Sequence, residues 1–324
     1  MNRNMRIAAD ITELVGKTPL VYLSSMRGDR PGLIAAKLEC FSPTGSIKDR
    51  AVLYMLREAE ERGRLKPGMT IVEPTSGNAG ISLAAFSIRR GYRVVLTMPE
   101  STSEQRLRIL RAYGAEIVLT PASEGMRGAL RKAQELQSEL PNSYMPQQFE
   151  NPSNPLSHLR TTAQEIWKDT AGQVAAVVAG IGTGGTISGI GRALKRKNPD
   201  VHIVGVEPRS LAVLSAAEVG DHRRIVERAP DQKGPCGIEG MGAGFIPRVL
   251  DVSVIDEVIA VNDIEARTTA RLAARSEGLL AGTSSGATIF AGMQIAEREE
   301  FRDKLIIVIC PDNGLKYIGT ELFE

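Results

Sequence analysis

The chain has 324 residues, 42% hydrophobic and 24% charged, with 40 Lys plus Arg against 38 Asp plus Glu and a formal net charge of +2 at pH 7. That length supports one large or two moderate domains with a sizeable core, and the near-balanced charges, which alternate along the chain instead of forming blocks, disfavour nucleic acid and membrane surfaces as partners. The opening "MNRNMRIAADITELVGKTPLVYL" has no apolar signal core, and no segment approaches the roughly 18 apolar residues of a membrane span, so a cytoplasmic protein is expected.

In chain order, short β-branched runs alternate with amphipathic stretches. "LIAAKLE" leads to a helix from Ser46, "TIVEPT" to a helix from Asn78, "RVVLTMP" to "SEQRLRILRAYG", and "AEIVLTP" to "GMRGALRKAQELQSEL". The Pro- and Asn-rich "QQFENPSNPLSH" then precedes the helix "LRTTAQEIWKD", and "VAAVVAGIG", "HIVGVEP" and "LIIVICPD" read as further strands. This alternation predicts an α/β fold of mainly parallel sheets with helices on both faces. Ligands in such folds sit at the carboxyl ends of the strands. From Glu227 to Pro247 the chain carries five Gly and three Pro, and so long a structureless connection predicts a functional loop. Cys40, Cys236 and Cys310 are widely spaced without CxxC geometry, and the three histidines are scattered. Free thiols in a reducing compartment and no metal centre are expected.

Three loops join a strand to a helix through small residues. "VEPTSGNAG" offers Thr75, Ser76, Gly77 and Asn78 at a helix start, either as a cap or as an anion site. "GIGTGGTISG" offers Gly182, Thr183, Gly184, Gly185 and Thr186, whose backbone N–H groups and two hydroxyls suit a phosphate. "AGTSSGA" places Ser284 and Ser285 at a third helix entry. Gly180, Gly182 and Gly185 also satisfy the dinucleotide pattern GxGxxG, and Glu207 follows where a ribose-binding acid belongs, so a nicotinamide-dependent oxidoreductase stands as a rival.

Lys48 separates the two. Helical spacing aligns it with Val52, Met55 and Ala59, an inward face, and Gly45 and Ser46 put it in the first turn. A lysine there either extends its ammonium to water or is held near neutrality by the helix dipole and by burial. A near-neutral amine forms imines with carbonyl compounds. Together with a phosphate cradle, it points to pyridoxal phosphate.

With "VGKTPLVYL", "SPTGSIKDR", "EPTSGNAG", "LTMPESTSEQRLRILRAYGAEIVLTP", "QQFENPSNP", "GIGTGGTISGIG", "GAGFIP", "GTSSGA" and "PDNGLKYIGTELF" in order along nearly the whole length, the chain resembles the cysteine synthase (O-acetylserine sulfhydrylase) and cystathionine β-synthase family of fold-type II pyridoxal-phosphate enzymes. The resemblance implies two doubly wound domains with the cofactor in the cleft between them. Residues 46–151 would form the smaller, mobile one, and residues 1–45 with 152–324 the larger. It implies Lys48 as the residue joined to the cofactor, Gly182 to Thr186 on its phosphate, Asn78 on its 3′ oxygen and Ser284 facing its ring nitrogen. Thr75, Ser76, Gly77 and Gln148 would bind the substrate carboxylate.

The implied reaction replaces the β-substituent of an O-activated serine through an α-aminoacrylate, with O-acetylserine and sulfide giving cysteine and acetate. A cystathionine β-synthase, or another β-substituted alanine synthase using serine or O-phosphoserine and a different nucleophile, is the alternative within the family. Threonine dehydratase and serine racemase relatives share the fold. Outside enzymes, a scaffold that keeps the fold for partner binding is the further rival. Homodimers are usual in the family, and complexes with serine acetyltransferase occur. Two departures bear on specificity: Ala79 stands where the family loop has threonine, and Glu239 where it has a neutral glutamine. An acid near the mouth is expected to repel sulfide and attract amino-bearing acceptors. Residues around "VERAPDQK" are expected to reshape the entrance.

Overall fold

The structure is a computed structural model that describes residues 7–215 and 236–324. Ten strands among the described residues, numbered in chain order, form two sheets. The larger runs β1-β2-β10-β7-β8-β9, with β1 Leu20–Tyr22, β2 Leu33–Leu38, β7 Val174–Gly180, β8 His202–Pro208, β9 Glu257–Val261 and β10 Leu305–Cys310. The smaller runs β5-β4-β3-β6, with β3 Thr70–Pro74, β4 Arg93–Pro99, β5 Glu116–Thr120 and β6 Ser143–Tyr144. Every pairing is parallel except β1 against β2 at the edge of the larger sheet.

Both sheets are covered on both faces, which is why the central strands of the larger one, β7 and β10, read as unbroken apolar runs. In the smaller sheet Ile71, Val94 and Leu96 point toward α2 (Lys48–Glu61), α3 (Asn78–Ile88) and α4 (Glu104–Ala112). Alternate residues Val72 and Val95 pack on Ala133 of α5 (Gly125–Glu139). In the larger sheet Ala176, Val178, Val204, Ile306 and Val308 meet α1 (Ser24–Arg27), α9 (Asp263–Glu277) and α10 (Thr283–Ala296). Val177, Ala179, Ile203, Ile307 and Ile309 meet α7 (Thr162–Asp169) and α8 (Gly185–Lys197), and α6 (Ser153–Arg160) packs across α8. The period of two thus sorts each strand between two helical layers.

Strands β1, β6 and β9 escape the sequence reading for local reasons. Strands β1 and β6 have three and two residues, and β9, at an edge, is only half-buried along most of its length. The helix expected from Ser46 begins at Lys48. Its two preceding residues are tied to the segment after β10: Ser46 bridges Asp312, and the N–H of Ile47, which already has helical backbone angles, donates to the Pro311 carbonyl at 2.8 Å. That pairing sets the first residue of α2 at the carboxyl end of β10.

Candidate active site

A cleft of about 320 Å³ opens between the two sheets at the carboxyl ends of their strands. A narrower recess continues from it, and both are lined by Lys48, Asn78, Gly182 and Thr183. Lys48 opens α2, with Val52, Met55 and Ala59 of its face fully buried beneath. The residue as a whole is half-buried, and its amine makes no ion pair among the described residues. Burial alone pulls its pKa from the ordinary 10.5 to about 8, as desolvation penalises an ammonium.

The loop after β7 forms one wall of the recess. Gly184 caps α8 in the left-handed region at φ +80°, and a Cβ on Gly182 would lie 2.2 Å from the Gly240 carbonyl oxygen, so only glycine fits there. Free first-turn N–H groups of α8, with the Thr183 and Thr186 hydroxyls, suit an anion. Gly185 itself does not line the recess; its Cα packs on Asn154, whose Oδ1 would sit 2.0 Å from an added Cβ. Ser284, in the first turn of α10, reaches the recess and its hydroxyl has no protein partner among the described residues. A phosphate in the loop, a ring nitrogen at Ser284 and a carbonyl carbon at Lys48 match this donor set.

The Thr75–Ala79 loop lines the opposite wall of the cleft with Gln148. The Asn78 amide is already engaged: Nδ2 donates to Asp312 Oδ2 at 2.7 Å, and Oδ1 accepts from Lys316 Nζ at 2.9 Å. Its second amide hydrogen remains available for a ligand. Ala79, on the same wall, is buried and brings no hydroxyl.

Two expectations require correction. Glu239 lies at the mouth, but it is not a free carboxylate: it forms an ion pair with Arg106 Nη2 from the facing lobe. The charge that was to repel anions is therefore matched. Glu207 is unavailable to a ribose, because its oxygens accept the backbone N–H groups of Val213, Leu214 and Ser215 at 2.9, 3.1 and 2.6 Å. The nicotinamide rival loses its acid. The "VERAPDQK" entrance lies outside the described residues.

Several residues that support the site were not singled out from sequence. Arg106 Nη1 also donates to the Ser76 carbonyl at 2.9 Å, and its guanidinium stands 5.8 Å from the Tyr317 ring centroid. Asn154 Nδ2 donates to the Gln148 carbonyl at 2.8 Å and to Thr183 Oγ1 at 3.0 Å, joining the two walls. Buried Glu73 accepts from the Gln147 and Gln148 N–H groups at 2.9 and 3.0 Å. Only Asn154, within the NPSNP run, had a local signal. Among the described residues no cluster of three or more His, Cys, Asp or Glu could hold a metal, and no helix is long and apolar enough to cross a membrane.

Two doubly wound lobes with a desolvated lysine and a glycine-threonine cradle on one cleft define a fold-type II pyridoxal-phosphate enzyme, and the chain belongs to the pyridoxal-phosphate dependent enzyme family, which it matches over residues 11–312. Its relatives narrow the assignment. A cysteine synthase of Staphylococcus aureus (strain N315) is 44% identical over 316 residues, 97% of each chain. The crystal structure of a cysteine synthase from Entamoeba histolytica has a TM-score of 0.90 at 39% identity, covering 100% of this chain and 93% of that one. An O-ureido-L-serine synthase structure is as close, with a TM-score of 0.90 and 39% identity over 98% and 95% of the two chains.

Proposed function

We propose that the protein makes cysteine by β-replacement: O-acetylserine loses acetate and takes up sulfide. The observation that carries this reading is the placement of one desolvated lysine on a cleft shared by an anion cradle and a loop of hydroxyls and amides. The cysteine synthase relatives support it.

Bound pyridoxal phosphate supplies an electron sink for the pair left at the substrate α-carbon when its proton departs. The chain's own residues do the rest. Gly182, Thr183, Gly184, Gly185 and Thr186 would hold the phosphate, Asn78 the 3′ oxygen, Ser284 the ring nitrogen and Lys48 the carbonyl carbon. Thr75, Ser76, Gly77 and Gln148 would orient the donor's carboxylate. Lys48, with its pKa drawn to about 8, exchanges a proton at the α-carbon near neutral pH. The smaller lobe, residues 46–151, closes over the donor and keeps water from the reacting carbons. The same reading places the enzyme in the cytoplasm as a homodimer, with serine acetyltransferase as a candidate partner.

The test offers the purified enzyme O-acetylserine, O-phosphoserine or serine, each with sulfide, and measures cysteine. O-acetylserine is expected to give the fastest turnover. No cysteine from any donor would overturn the reading. Since an O-ureido-L-serine synthase is equally similar in fold, acceptors other than sulfide belong in the same assay.

A further inference from the structure

His158, in α6, is 2% exposed and touches the cradle from behind. Its Nδ1 lies 2.9 Å from Thr162 Oγ1 and its Nε2 3.3 Å from Thr186 Oγ1. Thr186 in turn lines the recess. Burial, then the positive charges of Arg50 and Lys48, hold the ring's pKa well below the usual 6.5, against the opposing pull of Glu165. The ring is neutral.

A neutral imidazole has one N–H and one lone pair, so it must treat its two threonines oppositely. With the hydrogen on Nε2, the ring donates to Thr186, which is left to direct its own O–H into the recess, while Thr162 donates to Nδ1. With the hydrogen on Nδ1, Thr186 donates to the ring and presents lone pairs to whatever lies in front. Lone pairs facing phosphate oxygens repel, whereas a hydroxyl hydrogen binds them.

We propose that His158 is a positioning residue for the cofactor phosphate: as the Nε2–H tautomer it donates to Thr186 and turns that hydroxyl's hydrogen toward the anion. The proposal rests on the reading of Gly182 to Thr186 as the phosphate cradle. Sequence spacing hides it, because the ring and the loop are 28 residues apart.

The direct test is ¹⁵N NMR of the histidine-labelled holoenzyme. The chain has three histidines, and a His158→Gln sample assigns the signal that disappears. The expected pattern is an Nε2–H imidazole that does not titrate between about pH 6 and pH 9. An Nδ1–H or protonated ring overturns the proposal. Cofactor affinity provides the second arm, read by titrating the apoprotein. His158→Gln, which restores an N–H donor near Nε2, should stay within about twofold of wild type, while His158→Leu and Thr186→Val should each weaken binding about fivefold, the worth of one hydrogen bond. Weakening by Thr186→Val but not by His158→Leu overturns the role of His158 alone. Undiminished affinity in Thr186→Val overturns the cradle reading and the proposal with it. Should the leucine variant fail to fold, the tautomer measured on the wild type decides.

Discussion

Arg50 Nε lies 2.7 Å from Glu39 Oε2, with both side chains fully buried, two residues along α2 from Lys48. Nη1 and Nη2 of the same guanidinium each stand 2.7 Å from Glu165, which also pairs with buried Lys37 at 3.0 Å. Helix α2 packs into the core of the smaller lobe through Val52, Met55 and Leu56, yet its first turn is anchored to residues after β2 and on α7. Lys48, at the start of the smaller lobe, is thereby tied to the larger sheet. Removing one partner of a buried pair leaves the other charge uncompensated, at a cost on the order of 3–5 kcal/mol. Arg50→Met should lose that much stability in urea unfolding, and a loss below about 1 kcal/mol would show that the network does not anchor the helix. Burial opposes the charge on Glu165, but Arg50 prevails and lowers its pKa from 4.5 to about 2. The pair's contribution is therefore present above about pH 4.5 and lost as pH falls toward 2.

Glu73 titrates the other way. Burial pushes its pKa from 4.5 up to about 7, restrained by the Gln148 and Gln147 N–H groups. The folded protein therefore keeps a proton that the unfolded chain releases, and Glu73 subtracts stability as pH rises from about 4.5 to about 7. The shift corresponds to roughly 3 kcal/mol in all. Glu73→Gln should flatten the decline in melting temperature over that window. A variant whose pH profile parallels the wild type would contradict the assignment. Because Glu73 holds the backbone of Gln148, the variant should also raise the KM for the amino-acid donor more than it changes kcat.

The Arg106–Glu239 pair links the lobes across the mouth, with side-chain exposures of 9% and 31%. Since its charge is already matched, Glu239 should not set the choice between sulfide and amino-bearing acceptors, and Glu239→Gln is expected to leave that ratio unchanged. The freed guanidinium should instead attract anions, lowering the inhibition constant of sulfate about threefold or more. Wild-type sensitivity to sulfate in Glu239→Gln would mean that Arg106 is compensated by another group.

What the sequence shows and what it hides follow the same physics. The inward face of Lys48 is legible because Val52, Met55 and Ala59 lie within three turns of it and share its periodicity. Strands β7 and β10 are legible because burial on both faces makes them continuous apolar runs. The charge on Glu239 misleads, for its partner is 133 residues away and no local pattern announces an ion pair between lobes. Glu207 misleads for the opposite reason: the correct distance from a glycine loop says nothing about which backbone N–H groups its oxygens accept. Asn154 shows only as part of an Asn-Pro run, although its amide joins residues 6 and 29 positions away.

We propose that the Lys48 amine, and no other, carries the cofactor. Borohydride treatment of the yellow holoenzyme fixes the cofactor to its lysine, and peptide mass mapping then locates it. The label is expected on the peptide containing Lys48, with neither label nor visible absorbance in Lys48→Ala. Label on another lysine, or a Lys48→Ala enzyme that keeps its colour and full turnover, would contradict it.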